Sequence, residues 1–150
     1  MIRYRVATPA DYQVVLTLFG ELIDELSHAS YAEELKRHLP EDIRQALASD
    51  LVCFFLVETD GEAIGFSRAD ILEAEPIFRM RDVSRCGYVD QMFVRMSFRK
   101  QKIGIELLRL CENWCREQGM VYVLLHAAPK ALRFYAREGY QPNREMFKRL

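Results

Sequence analysis

Between Leu51 and Val57 the chain reads Leu-Val-Cys-Phe-Phe-Leu-Val, a run without one polar side chain. Such a run is far too short to cross a membrane, which takes roughly 20 apolar residues. It reads as a β-strand covered on both faces, because a strand with one wet face alternates polar and apolar residues. The fold must therefore lay protein on both sides of a sheet. The flanks supply further strands. Thr59-Asp60-Gly61 provides the positive φ that a tight hairpin needs, so Glu62 to about Leu72 is predicted as the antiparallel partner. Ile2 to Ala7 alternates Ile2, Tyr4 and Val6 against Arg3 and Arg5, the period of a strand.

Helices are predicted around these strands. Thr8-Pro9-Ala10-Asp11 opens one, with Thr8 as cap, Pro9 where a missing N–H costs nothing, and Asp11 at the positive end of the dipole. Val14, Val15, Leu18, Phe19, Leu22, Ile23 and Leu26 follow at helical spacing. Pro40-Glu41-Asp42 is predicted to start a second, shorter helix through about Ala48. Glu73 to Arg85 reads as a long irregular loop, which in a compact domain is often functional. Cys86 to Arg95 is predicted as a strand, and Lys102 to Gln118 as an amphipathic helix ended by Gly119. Val121 to His126 is expected to be a buried strand and Pro129 to Glu138 a helix closed by Gly139; Glu145 to Leu150 is expected to be a short last strand. The order β-α-α-β-β-β-α-β-α-β suits an α/β (α+β) mixed sheet with helices on both faces, and Cys86 to His126 a parallel crossover.

Composition narrows the function classes. With 150 residues, 50% hydrophobic and 29% charged, the chain has room for one ordinary globular domain, residues 1–150. Its 21 basic and 22 acidic residues nearly cancel, which excludes a global cationic field for nucleic acid. Cys53, Cys86, Cys111 and Cys115 show no CxxC spacing, so reduced thiols and no metal site are expected. Cys111, Trp114 and Cys115 read as core filler on the amphipathic helix. Met1 to Arg5 has neither the apolar core nor the cleavage site of a signal peptide, and no run spans a membrane; the expected location is cytoplasmic.

The chemistry concentrates between Val94 and Gly104, where a strand hands over to a helix N-terminus. The segment holds Arg95, Arg99, Lys100 and Lys102 and no acidic residue. Free N–H groups at a helix start bind anions, and basic side chains add to that. A phosphate-bearing small ligand and a merely solvated basic turn both fit these residues.

Three segments, in order, carry a resemblance. Arg99-Lys100-Gln101-Lys102-Ile103-Gly104 resembles the acetyl-CoA loop of the GNAT superfamily of N-acyltransferases, Arg/Gln-x-x-Gly-x-Gly/Ala after a strand ending in Val. Ala131-Leu132-Arg133-Phe134-Tyr135-Ala136-Arg137-Glu138-Gly139-Tyr140 resembles that family's Ala-x-x-Phe-Tyr-x-x-x-Gly-Phe. Tyr88 to Val94 is similar to its central strand. Two positions depart: Lys102 replaces the first loop glycine, and Ala128 stands where relatives often carry Asn.

The resemblance implies a GNAT fold of about six to seven strands, acetyl-CoA as co-substrate and no metal. It implies acetyl transfer to a primary amine of a small molecule by direct attack within a ternary complex. The alternatives are acetylation of a protein or peptide, or a non-catalytic acyl-CoA-binding module. Arg99, Lys100, Gln101, Lys102, Ile103 and Gly104 would hold the pyrophosphate, mainly through main-chain N–H groups. Met92, Phe93 and Val94 would lie along the pantetheine arm as a neighbouring strand, and Phe134 beside the cofactor. Tyr135 would be the general acid for the departing thiolate. Asp90 stands where relatives often carry a Glu that acts as base or binds the amine, with His126 as an alternative proton relay. His28 and His38 flank the region that helps wall the acceptor site, though solvated helix ends explain them as well. Glu21, Asp24, Glu25, Glu33 and Glu34 read first as a solvated helix face, and otherwise as an acidic wall for cationic amines. No nucleic acid or membrane partner is expected, and an exposed edge at the last strand suits a homodimer.

Overall fold

The apolar run lies at the centre of the molecule. The computed structural model describes residues 1–26, 29–73, 84–143, 146 and 148–150. Strand β2 (Val52–Thr59) lies between β1 (Ile2–Val6) and β3 (Glu62–Glu73), followed by β4 (Arg85–Val94) and β5 (Val123–Leu124), in the order β1-β2-β3-β4-β5. The first four strands are antiparallel and β5 joins β4 in parallel. Among the described residues four α-helices accompany them: α1 (Tyr12–Leu26), α2 (Ala29–Leu47), α3 (Ile103–Glu117) and α4 (Leu132–Arg137).

Alternation along β2 divides two cores. Phe54 and Leu56 pack with Val15, Leu18, Leu22 and Ile43 of α1 and α2. Cys53, Phe55 and Val57 pack with Ile103, Leu107 and Cys111 of α3. Both sets are buried, each large side chain contributing about 1.5–3 kcal/mol. The Asp60-Gly61 turn has φ of 50° and 81°, the left-handed pair of a two-residue hairpin. Gly87 lets α3 lie close against the sheet: a Cβ there would stand 2.6 Å from Cys115 Sγ.

The structure corrects several expectations. The second helix begins at Ala29, not at Pro40, which lies inside it. Ala32, Leu39, Ile43 and Ala46 form one buried stripe across the proline, so tertiary packing outweighs the missing hydrogen bond. The strand expected at Val121–His126 shrinks to Val123–Leu124, half-buried, with Val121 59% exposed. The Pro129–Glu138 helix divides into a 3₁₀ turn, Pro129–Ala131, and α4. The sheet has five strands among the described residues, fewer than expected. Met146 and Lys148–Leu150 carry no strand, and Glu145 and Phe147 lie outside the described residues. So do His28 and positions 74–83 of the predicted loop, whose ends Glu73 and Arg85 belong to β3 and β4.

Candidate active site

Strands β4 and β5 pair only at Gly87–Val123 and Tyr88–Leu124, and then part. Val89 to Val94 keep β3 as their one described strand neighbour, so the sheet forks. A bulge helps to open the fork. Arg68 faces Gln91 and Ala69 faces Val89, so Asp90 is the extra residue on β4. Gly87 N–H points at β5, donating to Tyr122 O at 3.1 Å. Past the bulge the parity is reversed: Arg95 N–H donates to Ile64 O of β3 at 2.9 Å. By strand alternation, Phe93 also turns its main chain to β3, and Met92 and Val94 turn theirs to the fork. Val94 O there accepts from Arg99 Nε at 2.7 Å. Met92 and Val94 pack on the α3 side, whereas Phe93 is buried with Phe66 on the opposite face. The expected groove residue Phe93 is thus turned away from the groove.

The strand runs into the basic loop and α3. Lys100 and Lys102 have φ of 65° and 63°, so both occupy the left-handed region without being glycine. The backbone shape of a glycine loop is kept at a cost of roughly 1–2 kcal/mol per residue. The main-chain N–H groups from Lys100 to Ile105 have no backbone acceptor among the described residues; Arg99 N–H bonds Met96 O and Glu106 N–H bonds Lys102 O. Consecutive bare N–H groups at the start of a 15-residue helix make an anion cradle. The Phe134 ring lies against Gly104 in its first turn, where a Cβ would stand 3.8 Å from it, an ordinary contact distance.

The basic side chains divide. Arg95 forms a bidentate pair with Glu21 at 2.8 and 2.9 Å and also binds Glu62. Arg99 binds Glu25 at 2.6 Å. Asp24 pairs with Lys36 at 2.6 Å. The acidic face of α1 is therefore neither simply solvated nor an open wall for amines; Glu21 and Glu25 fasten α1 to the loop. The Arg99 guanidinium holds Glu25 below the usual carboxylate range. Lys100 and Lys102 are exposed and make no ion pair among the described residues. Glu33, Glu34 and His38 face solvent.

Tyr135 lies on the α3 side of the sheet, in the cluster that holds Met92, Val94, Ile103 and Cys111. The rings of Phe134 and Tyr140 meet it edge-on at 5.0 and 5.6 Å. Tyr140 OH donates to Glu112 Oε1 at 3.2 Å, and its N–H to Tyr135 O at 3.0 Å. Burial, then the nearby Cys111, pushes the Tyr135 phenol up, so it holds its proton at neutral pH. The cysteines offer no nucleophile. Burial keeps Cys53 and Cys115 at about 11 and Cys111 at about 12.

Asp90 lies on the other face. Arg68 stacks over Phe54 of the α1–α2 core, binds Asp70 with two contacts of 2.7 Å, and reaches Asp90 Oδ2 at 3.4 Å. The bulge places Gln91 on the same face, donating to Asp90 Oδ1 at 2.9 Å. Gln91 Oε1 is buried without a partner among the described residues. Desolvation raises the Asp90 carboxyl and Arg68 lowers it, with a net upward shift. Tyr88, directly opposite Asp70, is bonded to His126 Nδ1 at 2.5 Å. Sequence reasoning missed Arg68, Asp70, Tyr88 and Gln91. The signal was present: Arg68 and Asp70 put two opposite charges on one face of β3 between the apolar Phe66 and Leu72. No group of His, Cys, Asp and Glu among the described residues could hold a metal ion.

The comparisons with known proteins agree with this geometry. No curated protein matches the sequence significantly. Solved structures do match it. A GCN5-related N-acetyltransferase from Ralstonia eutropha JMP134 superposes with a TM-score of 0.90 at 22% identity, covering 100% of this chain and 99% of that one. A predicted acetyltransferase from Clostridium acetobutylicum, solved with acetyl-CoA, gives 0.87 at 20% identity, over 100% of this chain and 96% of that one. An aminoglycoside N-acetyltransferase in complex with CoA gives 0.78 at 19% identity, over 100% and 95%. At such identities the likeness is one of fold. The sequence itself matches the acetyltransferase (GNAT) family over residues 19–140, so the chain belongs to that family of acetyl-CoA-dependent acyltransferases.

Proposed function

We propose that the protein transfers the acetyl group of acetyl-CoA to a primary amine of a small molecule, by direct attack in a ternary complex. The fork carries this reading, because it leaves β4 past Tyr88 without β5 beside it, between two sheet faces of different chemistry. On one face stands a phenol that keeps its proton; on the other stands a carboxylate cluster. The N–H groups from Lys100 to Ile105 would hold the pyrophosphate, with Lys100 and Lys102 as exposed cations beside it. The main chain of Met92 and Val94 would pair with the pantetheine arm and donate to the thioester carbonyl. Tyr135 would protonate the leaving thiolate. Asp70 and Asp90 share the single Arg68, which leaves excess negative charge to receive a cationic amine. The aminoglycoside enzyme of similar fold acts on an acceptor of that kind.

A thermal scan with acetyl-CoA, and with CoA as control, tests the first half. Ligand at about 100 times its Kd adds roughly 2.7 kcal/mol of apparent stability, and the absence of any shift at millimolar acetyl-CoA defeats the proposal. Thiol release over a panel of small amines tests the second half. Tyr135→Phe is expected to keep the thermal shift and to lower turnover by about 10²–10⁴-fold. A shift with no turnover on any amine, peptide lysines included, would make the protein a binding module instead.

A further inference from the structure

Asp90 is where two side chains meet, and it leaves each of them with hydrogen-bonding capacity to spare. Gln91 Nε2 donates to its Oδ1 at 2.9 Å, and Arg68 Nε stands 3.4 Å from its Oδ2. Arg68 and Gln91 are opposite each other across β3 and β4, so they flank the carboxylate on one sheet face. An ionised carboxylate takes only donors, so the Gln91 amide must turn its nitrogen to Asp90. That leaves Gln91 Oε1 buried without a partner among the described residues. Arg68 commits Nε and Nη2 to Asp70, and its Nη1 makes no hydrogen bond among the described residues. The side chains of Asp70 and Arg68 are 12% and 16% exposed and that of Asp90 27%, so the cluster opens at Asp90.

The spare groups define what sits beside an amine held on Asp90. It must accept from Arg68 Nη1 and donate to Gln91 Oε1. A hydroxyl does both with one oxygen; a carbonyl only accepts, and an alkyl group does neither. The last torsion of a glutamine is soft, so Oε1 can turn to meet the hydroxyl. Charge disfavours a carboxylate in that place. Asp70 and Asp90 already face Arg68, and Asp42 of α2 acts on it as well. Even a protonated His126, which Asp90 feels, leaves these carboxylates in excess. We propose that the acceptor is a vicinal amino alcohol without a carboxylate, its ammonium on Asp90 and its neutral hydroxyl between Arg68 Nη1 and Gln91 Oε1. The proposal rests on the acetyl-transfer reading above and narrows its acceptor. Gln91 and Arg68 are then the residues that set specificity.

The test uses three probes of nearly one shape: 2-aminopropan-1-ol; 2-aminobutane, with methyl in place of the hydroxyl; and alanine, with carboxylate in place of the alcohol carbon. Thiol release is measured with wild type and Gln91→Met. Wild type is expected to favour the alcohol over alanine by about 10-fold or more in kcat/KM. The preference for the alcohol over 2-aminobutane should fall about 10-fold in Gln91→Met, the worth of one hydrogen bond, with the acetyl-CoA thermal shift intact. The probes differ in basicity, but that difference cancels when the same ratio is compared between the two proteins. A ratio unchanged in Gln91→Met, or alanine favoured over the alcohol, overturns the proposal. Side-chain amide NMR of Gln91 in the CoA-bound wild type reads the site without turnover. A resonance moved by the alcohol and not by 2-aminobutane supports the proposal, and an equal response to both, or to neither, overturns it. The alcohol moving that resonance without ever being acetylated leaves the site standing and counts against acetyl transfer alone.

Discussion

Lys102 joins local backbone chemistry to the cradle. The family pattern has glycine where this lysine stands, yet the backbone adopts φ of 63° and ψ of 8° there, as a glycine would. A lysine whose φ is helical would also leave its N–H able to donate, but that is not what the chain does. The left-handed turn is enforced by the surrounding loop against an intrinsic cost of roughly 1–2 kcal/mol. Lys102→Gly relieves that cost but adds about 0.5–1 kcal/mol of unfolded-state entropy. The expected result is an unchanged or slightly raised Tm with acetyl-CoA binding intact. Lys102→Val, β-branched and ill-suited to positive φ, should lower Tm and weaken binding. Both follow from differential scanning in the presence and absence of acetyl-CoA.

Elements whose signal is local were legible in the sequence. The Asp60-Gly61 turn, the Leu51–Val57 strand and the stripe from Val14 to Leu26 all announce themselves within a few residues. The helix around Pro40 did not, because a proline at the first helical position and one inside a helix look alike without the packing of Ala32 and Leu39. That helix carries the next prediction. Pro40 leaves the Lys36 carbonyl without its helical donor, and proline is about 3 kcal/mol worse than alanine inside a helix. Pro40→Ala is expected to raise Tm by a few degrees, since the stripe it interrupts is already seated on the core. A drop would show that the helix is bent to fit. The short β5 was misread for a different reason: its length is set by how soon β4 diverges, and Val121 to His126 contain no trace of that.

Across the whole molecule, the candidate site was legible where it is continuous in sequence and hidden where the sheet assembles it. Arg99 to Gly104 and Phe134 to Tyr135 stand in single segments. The face holding Arg68, Asp70, Tyr88, Asp90 and His126 exists only once β3, β4 and β5 are side by side. The ties from α1 to the loop, through Glu21 and Glu25, bridge 74 positions and are likewise visible only in the fold. Another such tie governs the response to acid. Arg5 of β1 binds Asp11, at 2.8 Å through each oxygen, and Glu58 of β2 at 2.8 Å, while Thr8 N–H donates to Asp11 Oδ2. The guanidinium holds the Asp11 carboxyl well below the ordinary range. A depressed carboxyl contributes stability above its unfolded value, about 3.9, and that contribution is lost as pH falls towards the folded value. Asp90, shifted up by burial, acts in the opposite sense and cancels part of the loss. Urea unfolding should therefore show stability falling below about pH 4. Asp11→Asn should flatten that fall and cost about 1–3 kcal/mol at pH 7.

The extra residue on β4 has a consequence best put as one of phase. A regular strand offers each neighbour every second residue, and which half each neighbour receives is fixed along its whole length. Asp90 shifts the count by one, so a single strand gives one half of its main chain to β5 before that point and the other half, after it, to the side that β5 has left, where Val94 O accepts from Arg99. Excising that residue would bring the strand back into step. Gln91 would then follow Val89 directly, with its pairing to Arg68 and the outward main chain of Met92 and Val94 unchanged, and what the chain would lose is the local kink and added twist that help to part β4 from β5.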